Sequence, residues 1–230
     1  TAELRAQLEA LVKDSVIDAV KIGMLGNRGN AVAIAEFLDS NKFPQVVLDP
    51  VMKSSSGTEL LDTGGIKFLA GELLKRVTVI TPNIPEAETL TGLAIKELTD
   101  MEAAARKLAE MGARGVIVKG GHREKPIDVL FDGNEITHLV GDKGKEETLH
   151  GTGCTLAAAL TAQLAAGRSL IEAATLAKAY VTKAIEKAYA IGKGRMPLDH
   201  FYRQKIEPLA RGTHEVPQHG MHPAAEPKAH

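Results

Sequence analysis

"VTVITPNIPEAETLTG", residues 77–92, decides how the chain is read. Its first half, 77–83, reads as a strand, with valine, threonine and isoleucine ahead of Pro82. Its second half, 84–91, reads as a helix with the acid Glu86 in its first turn. A strand that feeds a helix with so little between them is the unit of an α/β fold.

The same alternation continues on both sides. Upstream, Leu4, Leu8 and Leu11 keep helical spacing over 2–14, "VIDAVKIG" (16–23) reads as a strand, and 30–40 as a helix. "QVVLDP" (45–50) is a short buried strand stopped by proline, followed by a helix over 62–75. Downstream, a helix over 99–111 precedes the strand "GVIVKGG" (115–121). A hairpin then places strands at 127–131 and 135–140 around Asp132-Gly133. Long helices follow at 153–166 and 169–190. The expected fold is α/β, a mainly parallel sheet flanked by helices, with right-handed crossovers. Pattern is lost after Pro197, and 203–230 reads as a flexible tail. Its His214, His219, His222 and His230 read as incidental composition rather than a metal site.

Composition narrows the function classes. The chain is 44% hydrophobic and 25% charged, with a net charge of −1. That suits a globular protein and gives no basic surface for nucleic acid or an anionic membrane. Aromatic residues are 3% and tryptophan is absent, so base-stacking platforms are not expected either. One cysteine makes neither an internal disulfide nor a cysteine-cluster metal site. No run of 18 apolar residues and no signal pattern appears, so the expected location is cytoplasmic, with no membrane partner.

In open parallel sheets, ligands bind beyond the carboxyl ends of the strands. The residues after the strands are therefore the candidates: Gly23-Met24, Asp49 with Val51, Asn83 with Glu86, and Lys119. Two carboxylates on one rim, Asp49 and Glu86, suit Mg2+, which takes oxygen ligands and keeps several waters. Lys119 suits a phosphate as a compact point charge. "HGTGCTLAAALTAQLAAG" (150–167) sets Gly151-Thr152-Gly153 at a helix start, where free N–H groups and the dipole favour an anion. Cys154 falls in that first turn, where thiol pKa values are commonly lowered. Each residue also has a plainer reading: a turn cap, a first-turn helix acid, a solvated strand-end lysine, a structural cysteine. The residues alone leave both open. Walker-A and dinucleotide-binding glycine motifs are absent, so any nucleotide is held another way.

Taken in order, "KIGML" (21–25), "VVLDPVMKSSSGTELL" (46–61), "ITPNIPEAETLTG" (80–92), "VIVKGGH" (116–122), the 150–167 motif and "GKGRMPLDHF" (192–201) resemble the hydroxymethylpyrimidine/phosphomethylpyrimidine kinases of the ribokinase superfamily. The resemblance implies a three-layer ribokinase-like domain over 1–202. It implies transfer of a phosphoryl group from ATP to hydroxymethylpyrimidine and to its monophosphate in thiamine biosynthesis. By resemblance, Gly151, Thr152, Gly153 and Cys154 form the anion hole, with Cys154 where most of the superfamily carries a catalytic aspartate. Lys119 faces phosphate, and Asn83, Lys119, Thr152 and Gly153 bind ATP. Asp49 and Glu86 serve Mg2+, while Gly23, Met24 and Val51 lie near the pyrimidine. Relatives of this kind are often dimers, so a homodimer is expected. A pyridoxal kinase of the same branch shares the cysteine motif and is the alternative, as is a nucleotide-binding remnant without turnover. Members of the family open with a strand and a glycine-rich segment ahead of the point where this sequence starts. The resemblance therefore predicts that roughly the first quarter of the domain, first strand included, is missing.

Overall fold

The computed structural model describes residues 1–204 except 55, 122–125 and 142–148. Six strands form one sheet in sequential order: β1 (Ala19–Ile22), β2 (Gln45–Leu48), β3 (Val79–Ile80), β4 (Gly115–Val118), β5 (Ile127–Phe131) and β6 (Ile136–Val140). The first four are parallel, and β5 and β6 add as an antiparallel hairpin. This is the expected α/β architecture with a mainly parallel sheet.

Strand alternation explains the layers. Val46 and Leu48 face one side of β2 and Val47 the other. Val116 and Val118 oppose Ile117 on β4, and Val129 and Phe131 oppose Leu130 on β5, in the same sense. Both faces are thus apolar at the sheet's centre, as a parallel sheet covered by helices requires. One face packs against α2 (Arg28–Ser40), α3 (Thr63–Gly71), α4 (Ile84–Thr91) and α5 (Leu98–Glu110). The other packs against α6 (Thr152–Ala165) and α7 (Leu170–Glu186). These two helices present mainly alanine and leucine to the sheet and to each other, so their backbones approach closely. The leading helix α1 (Ala2–Asp14) buries no residue.

Several boundaries differ from the sequence expectation. β1 starts at Ala19, and Val16 is 94% exposed. β3 has two residues rather than seven: Val46 N–H donates to the Thr78 hydroxyl, Pro82 has no N–H to donate, and Asn83 keeps only an isolated bridge to Lys119 while it caps α4. The helix expected over 62–75 stops at Gly71 and passes into a 3-10 turn, Leu73–Arg76. α7 ends at Glu186, four residues earlier than its pattern suggested. The hairpin turn is a four-residue loop rather than a two-residue Asp-Gly turn. The Asp132 carboxylate accepts from the N–H groups of Asn134 and Glu135, and Gly133 takes φ +101°. A two-stranded parallel pair, β7 (Leu149–His150) with β8 (Met196–Pro197), carries no readable pattern at two residues each. Of the expected tail, 203–230, only Arg203 and Gln204 are described, and the rest, with its four histidines, lies outside the described residues. Among the described residues no helix is long and apolar enough to cross a membrane.

One glycine is demanded by a close approach. A Cβ on Gly120 would run into the carbonyl oxygen of Ile127. Backbone cannot yield as a side-chain tip can, so the β4–β5 crossing would have to move. Gly120→Ala is expected to cost about 3 kcal/mol, the upper range for overpacking. In urea this appears as a lowered midpoint with the slope unchanged.

Candidate active site

The site is built on the carboxyl ends of β1 to β4. Backbone bonding continues past the strands: Asp49 N–H donates to Ile22 O at 2.8 Å, Thr81 N–H to Leu48 O at 2.9 Å, and Lys119 N–H to Pro82 O at 2.8 Å. The residues after each strand are therefore held in sheet register rather than on free loops.

Asn83 and Glu86 form a capping box at the start of α4. The Glu86 N–H donates to Asn83 Oδ1 at 2.9 Å, and the Asn83 N–H donates to Glu86 Oε2 at 2.8 Å. The helix-acid reading of Glu86 is thus correct, and the carboxylate is also buried within reach of Asp49 and Lys119. Burial pushes the Glu86 pKa up, and the Asp49 carboxylate adds to this. The Lys119 ammonium and the Asn83 N–H pull it back only in part.

Lys119 Nζ donates to Asp49 Oδ1 at 2.9 Å, with the Thr81 hydroxyl 3.4 Å from the same oxygen. The Asp49 side chain is 2% exposed and that of Lys119 14%. Burial opposes the charged lysine, but the Asp49 and Glu86 carboxylates outweigh it and hold the Lys119 pKa above its ordinary value. Lys119 is therefore not the solvated strand-end lysine that was the plainer alternative.

α6 starts from Gly151, which takes φ +89° and has no side chain to cap the helix. Its first-turn N–H groups thus have no side-chain cap, and such groups with the helix dipole suit an anion. Gly153 shares this turn, and a Cβ there would stand 3.1 Å from Lys119 Nζ. The missing side chain lets the ammonium reach the helix start. Helix end and lysine thus supply positive potential to one point, the arrangement that a phosphoryl group requires.

Cys154 follows and is exposed. Its thiol pKa runs against the sequence expectation. The protein packed around the thiol raises it, and the nearby Asp49 carboxylate raises it further, while Lys21 and Lys119 only partly offset this. A helix start lowers a thiol pKa when no carboxylate shares the space, and here one does.

A cleft of about 190 Å³ opens beside this point. Asn83, Lys119, Thr152 and Gly153, the residues that the resemblance assigns to a nucleotide, are in its lining. Leu156, Val181 and Ile185 add apolar side chains to the same lining. Asp49 and Glu86 meet the cleft only through Lys119 and Asn83. Gly23, Met24 and Val51 lie apart from it, after β1 and β2, with Met24 64% exposed. Among the described residues no three acids, histidines or cysteines gather closely enough to hold a metal by themselves.

Sequence reading missed one pair in the cleft wall. Lys178 Nζ donates to Asp128 Oδ2 at 2.6 Å, and Asp128 Oδ1 accepts from Gly120 N–H at 2.9 Å. Both residues were visible as anomalies. Asp128 shares the face of β5 that buries Leu130, and Lys178 sits between Ala174 and Val181 on the buried side of α7. Each breaks an apolar period, and only their proximity explains why.

A family model for phosphomethylpyrimidine kinase matches residues 1–199. The hydroxymethylpyrimidine/phosphomethylpyrimidine kinase of Bacillus subtilis (strain 168) is 43% identical over 201 residues, covering 86% of this chain and 74% of that protein. Among solved structures, an ADP complex of Bacillus subtilis pyridoxal kinase superposes with a TM-score of 0.81 at 34% identity, covering 88% of this chain and 77% of that one. The phosphomethylpyrimidine kinase of Clostridium difficile 630 gives 0.70 at 36% identity, covering 79% and 75%. Match and fold agree with the order of motifs, and the chain belongs to the phosphomethylpyrimidine kinase family.

Proposed function

We propose that this chain transfers the γ-phosphoryl group of ATP to the hydroxyl of hydroxymethylpyrimidine and then to the resulting monophosphate, a step of thiamine biosynthesis. The observation that carries the reading is the approach of Lys119 to Gly153 at the uncapped start of α6, in the lining of a cleft. Phosphoryl transfer needs positioning and charge neutralisation more than covalent chemistry. The first-turn N–H groups of α6 and the Lys119 ammonium neutralise the travelling group. Asp49 holds that ammonium in place. Cys154 stands next to the transfer point, where its sulfur can take the proton that the acceptor hydroxyl loses. The apolar side chains of Leu156, Val181 and Ile185 suit the nucleotide's base.

Mg2+ fits the residues present. Two buried carboxylates, Asp49 and Glu86, stand near one ammonium, that of Lys119, and their oxygens are the hard donors that Mg2+ takes. With no protein-only cage, the ion would share its ligands with the phosphates, as Mg2+ commonly does. When bound it neutralises phosphate charge.

Pyridoxal is the second acceptor to test, because the pyridoxal kinase structure superposes with the higher TM-score. The test incubates the full chain with ATP, Mg2+ and hydroxymethylpyrimidine or its phosphate, with pyridoxal as competitor. Diphosphate product supports the proposal. Pyridoxal phosphate alone overturns it in favour of the second acceptor, and ATP binding without product points to a nucleotide-binding remnant. A homodimer and a cytoplasmic location rest on the resemblance and the composition, and sedimentation and cell fractionation test them.

A further inference from the structure

Lys21 is the charge that the mechanism above does not use. It lies on β1 in register with Val47, on the sheet face that buries Val47, Val79 and Ile117 under α6 and α7. An apolar residue is the expected occupant of that face. Lysine on an edge strand often guards the edge by pointing into water. Lys21 does otherwise: it is half-buried, and its Nζ stands 2.5 Å from where a Cβ of Gly23 would be. The side chain thus folds along the strand toward the carboxyl end of the sheet, over a glycine that leaves it room. It comes close enough to Cys154 for the ammonium to act on that thiol.

The other two lysines of the site are ion-paired with acids, Lys119 with Asp49 and Lys178 with Asp128. Lys21 makes no hydrogen bond or ion pair with a carboxylate among the described residues. A half-buried ammonium without an acid partner is poised for an anion from outside. Position says which anion. The nucleotide cleft opens on the β4–β6 side of Lys119, and Lys21 is not in its wall. Lys21 lies at the opposite end of the sheet, beside Gly23 and Met24, and across Cys154 from the donor. A group between Lys21 and Cys154 is therefore on the acceptor's side.

We propose that Lys21 binds the phosphate of a phosphorylated acceptor and so equips the site for the second transfer, onto a phosphate monoester rather than an alcohol. This rests on the functional reading above and adds the residue that separates its two steps. An alcohol acceptor offers Lys21 no charge, whereas a monophosphate brings two negative charges that need a counter-ion beside the reacting oxygen. The balance of the step is simple. A monoester oxygen forms a bond to the γ-phosphorus, the bond from that phosphorus to the ADP oxygen breaks, and ADP leaves.

The test compares kcat/KM for hydroxymethylpyrimidine and for its phosphate in the wild-type full chain, Lys21→Met and Lys21→Arg. In Lys21→Met the ratio of phosphate to alcohol is expected to fall roughly 30-fold, the scale of one charge-assisted hydrogen bond. Lys21→Arg is expected to recover most of the ratio. An unchanged ratio overturns the inference, whether both activities fall together or neither does. A second measurement needs no variant. The phosphate acceptor should shield Lys21 of the wild-type chain from acylation, mapped by peptide mass, more than the alcohol does, and equal shielding overturns the inference. If the wild-type chain phosphorylates neither acceptor, the functional reading fails instead, so the two failures are distinct.

Discussion

Lys119→Met is expected to lower kcat roughly 10²- to 10³-fold, the loss seen when one preorganised electrostatic stabiliser is removed from a transition state. The ammonium sits where the β4 end, the start of α6 and Asp49 converge, at 2.9 Å from the Asp49 carboxylate and directly beneath Gly153. A methionine of similar length fills the space without the charge. The same change leaves Asp49 buried with no counter-ion, a defect worth about 3–5 kcal/mol of stability. Activity and folding must therefore be separated. Lys119→Met combined with Asp49→Asn removes both charges, and it is expected to recover most of the lost melting temperature while kcat stays low. Recovery of kcat along with stability would mean that Lys119 serves only the fold.

Cys154→Ala is expected to lower kcat about 10²-fold or more while leaving KM for ATP within a few-fold of wild type, in the range of general-base contributions. The donor cleft does not include Cys154, so nucleotide binding has no reason to depend on it. An unchanged kcat would remove the thiol from the reaction. The raised thiol pKa adds a pH prediction for the unliganded chain. A thiol whose pKa is raised is less ionised at a given pH, so its alkylation by iodoacetamide should rise with pH along a curve displaced above that of a free cysteine. Asp49→Asn removes one of the carboxylate's contributions and should move the curve back toward lower pH. A curve at or below the free-cysteine range in the unaltered chain would contradict a thiol pKa raised by burial and Asp49.

The fold was legible because its signals are local. Each central strand carries a run of valine, isoleucine or leucine, each helix keeps its period, and a covered parallel sheet needs nothing more to be recognised. What misled was punctuation. "VTVITPN" looks like seven strand residues, but Pro82 interrupts the ladder, and Asn83 both bridges to Lys119 and caps α4. Asp132 likewise gathers a four-residue loop around its carboxylate where the dipeptide suggested a tighter turn.

The site was half legible for the same kind of reason. Strand ends are where a parallel sheet puts chemistry, so Asp49, Asn83, Glu86 and Lys119 could be named from position, and Gly151 to Cys154 from the glycines before a helix. Their relations could not. That Lys119 pairs with Asp49 across 70 positions, that Asp128 and Lys178 close the cleft wall together, and that Lys21 folds over Gly23 are facts of three-dimensional distance. The sequence by itself determined the alternation of strand and helix, the face each apolar residue seeks, and the list of chemically able side chains. Only the tertiary structure decided which charges pair with one another and which stands without a carboxylate partner. Periodicity acts between neighbours in the chain, whereas electrostatics acts between neighbours in space. The thiol of Cys154 shows the difference: the local rule of a helix start lowers its pKa, and a carboxylate brought in from the end of β2 helps to raise it.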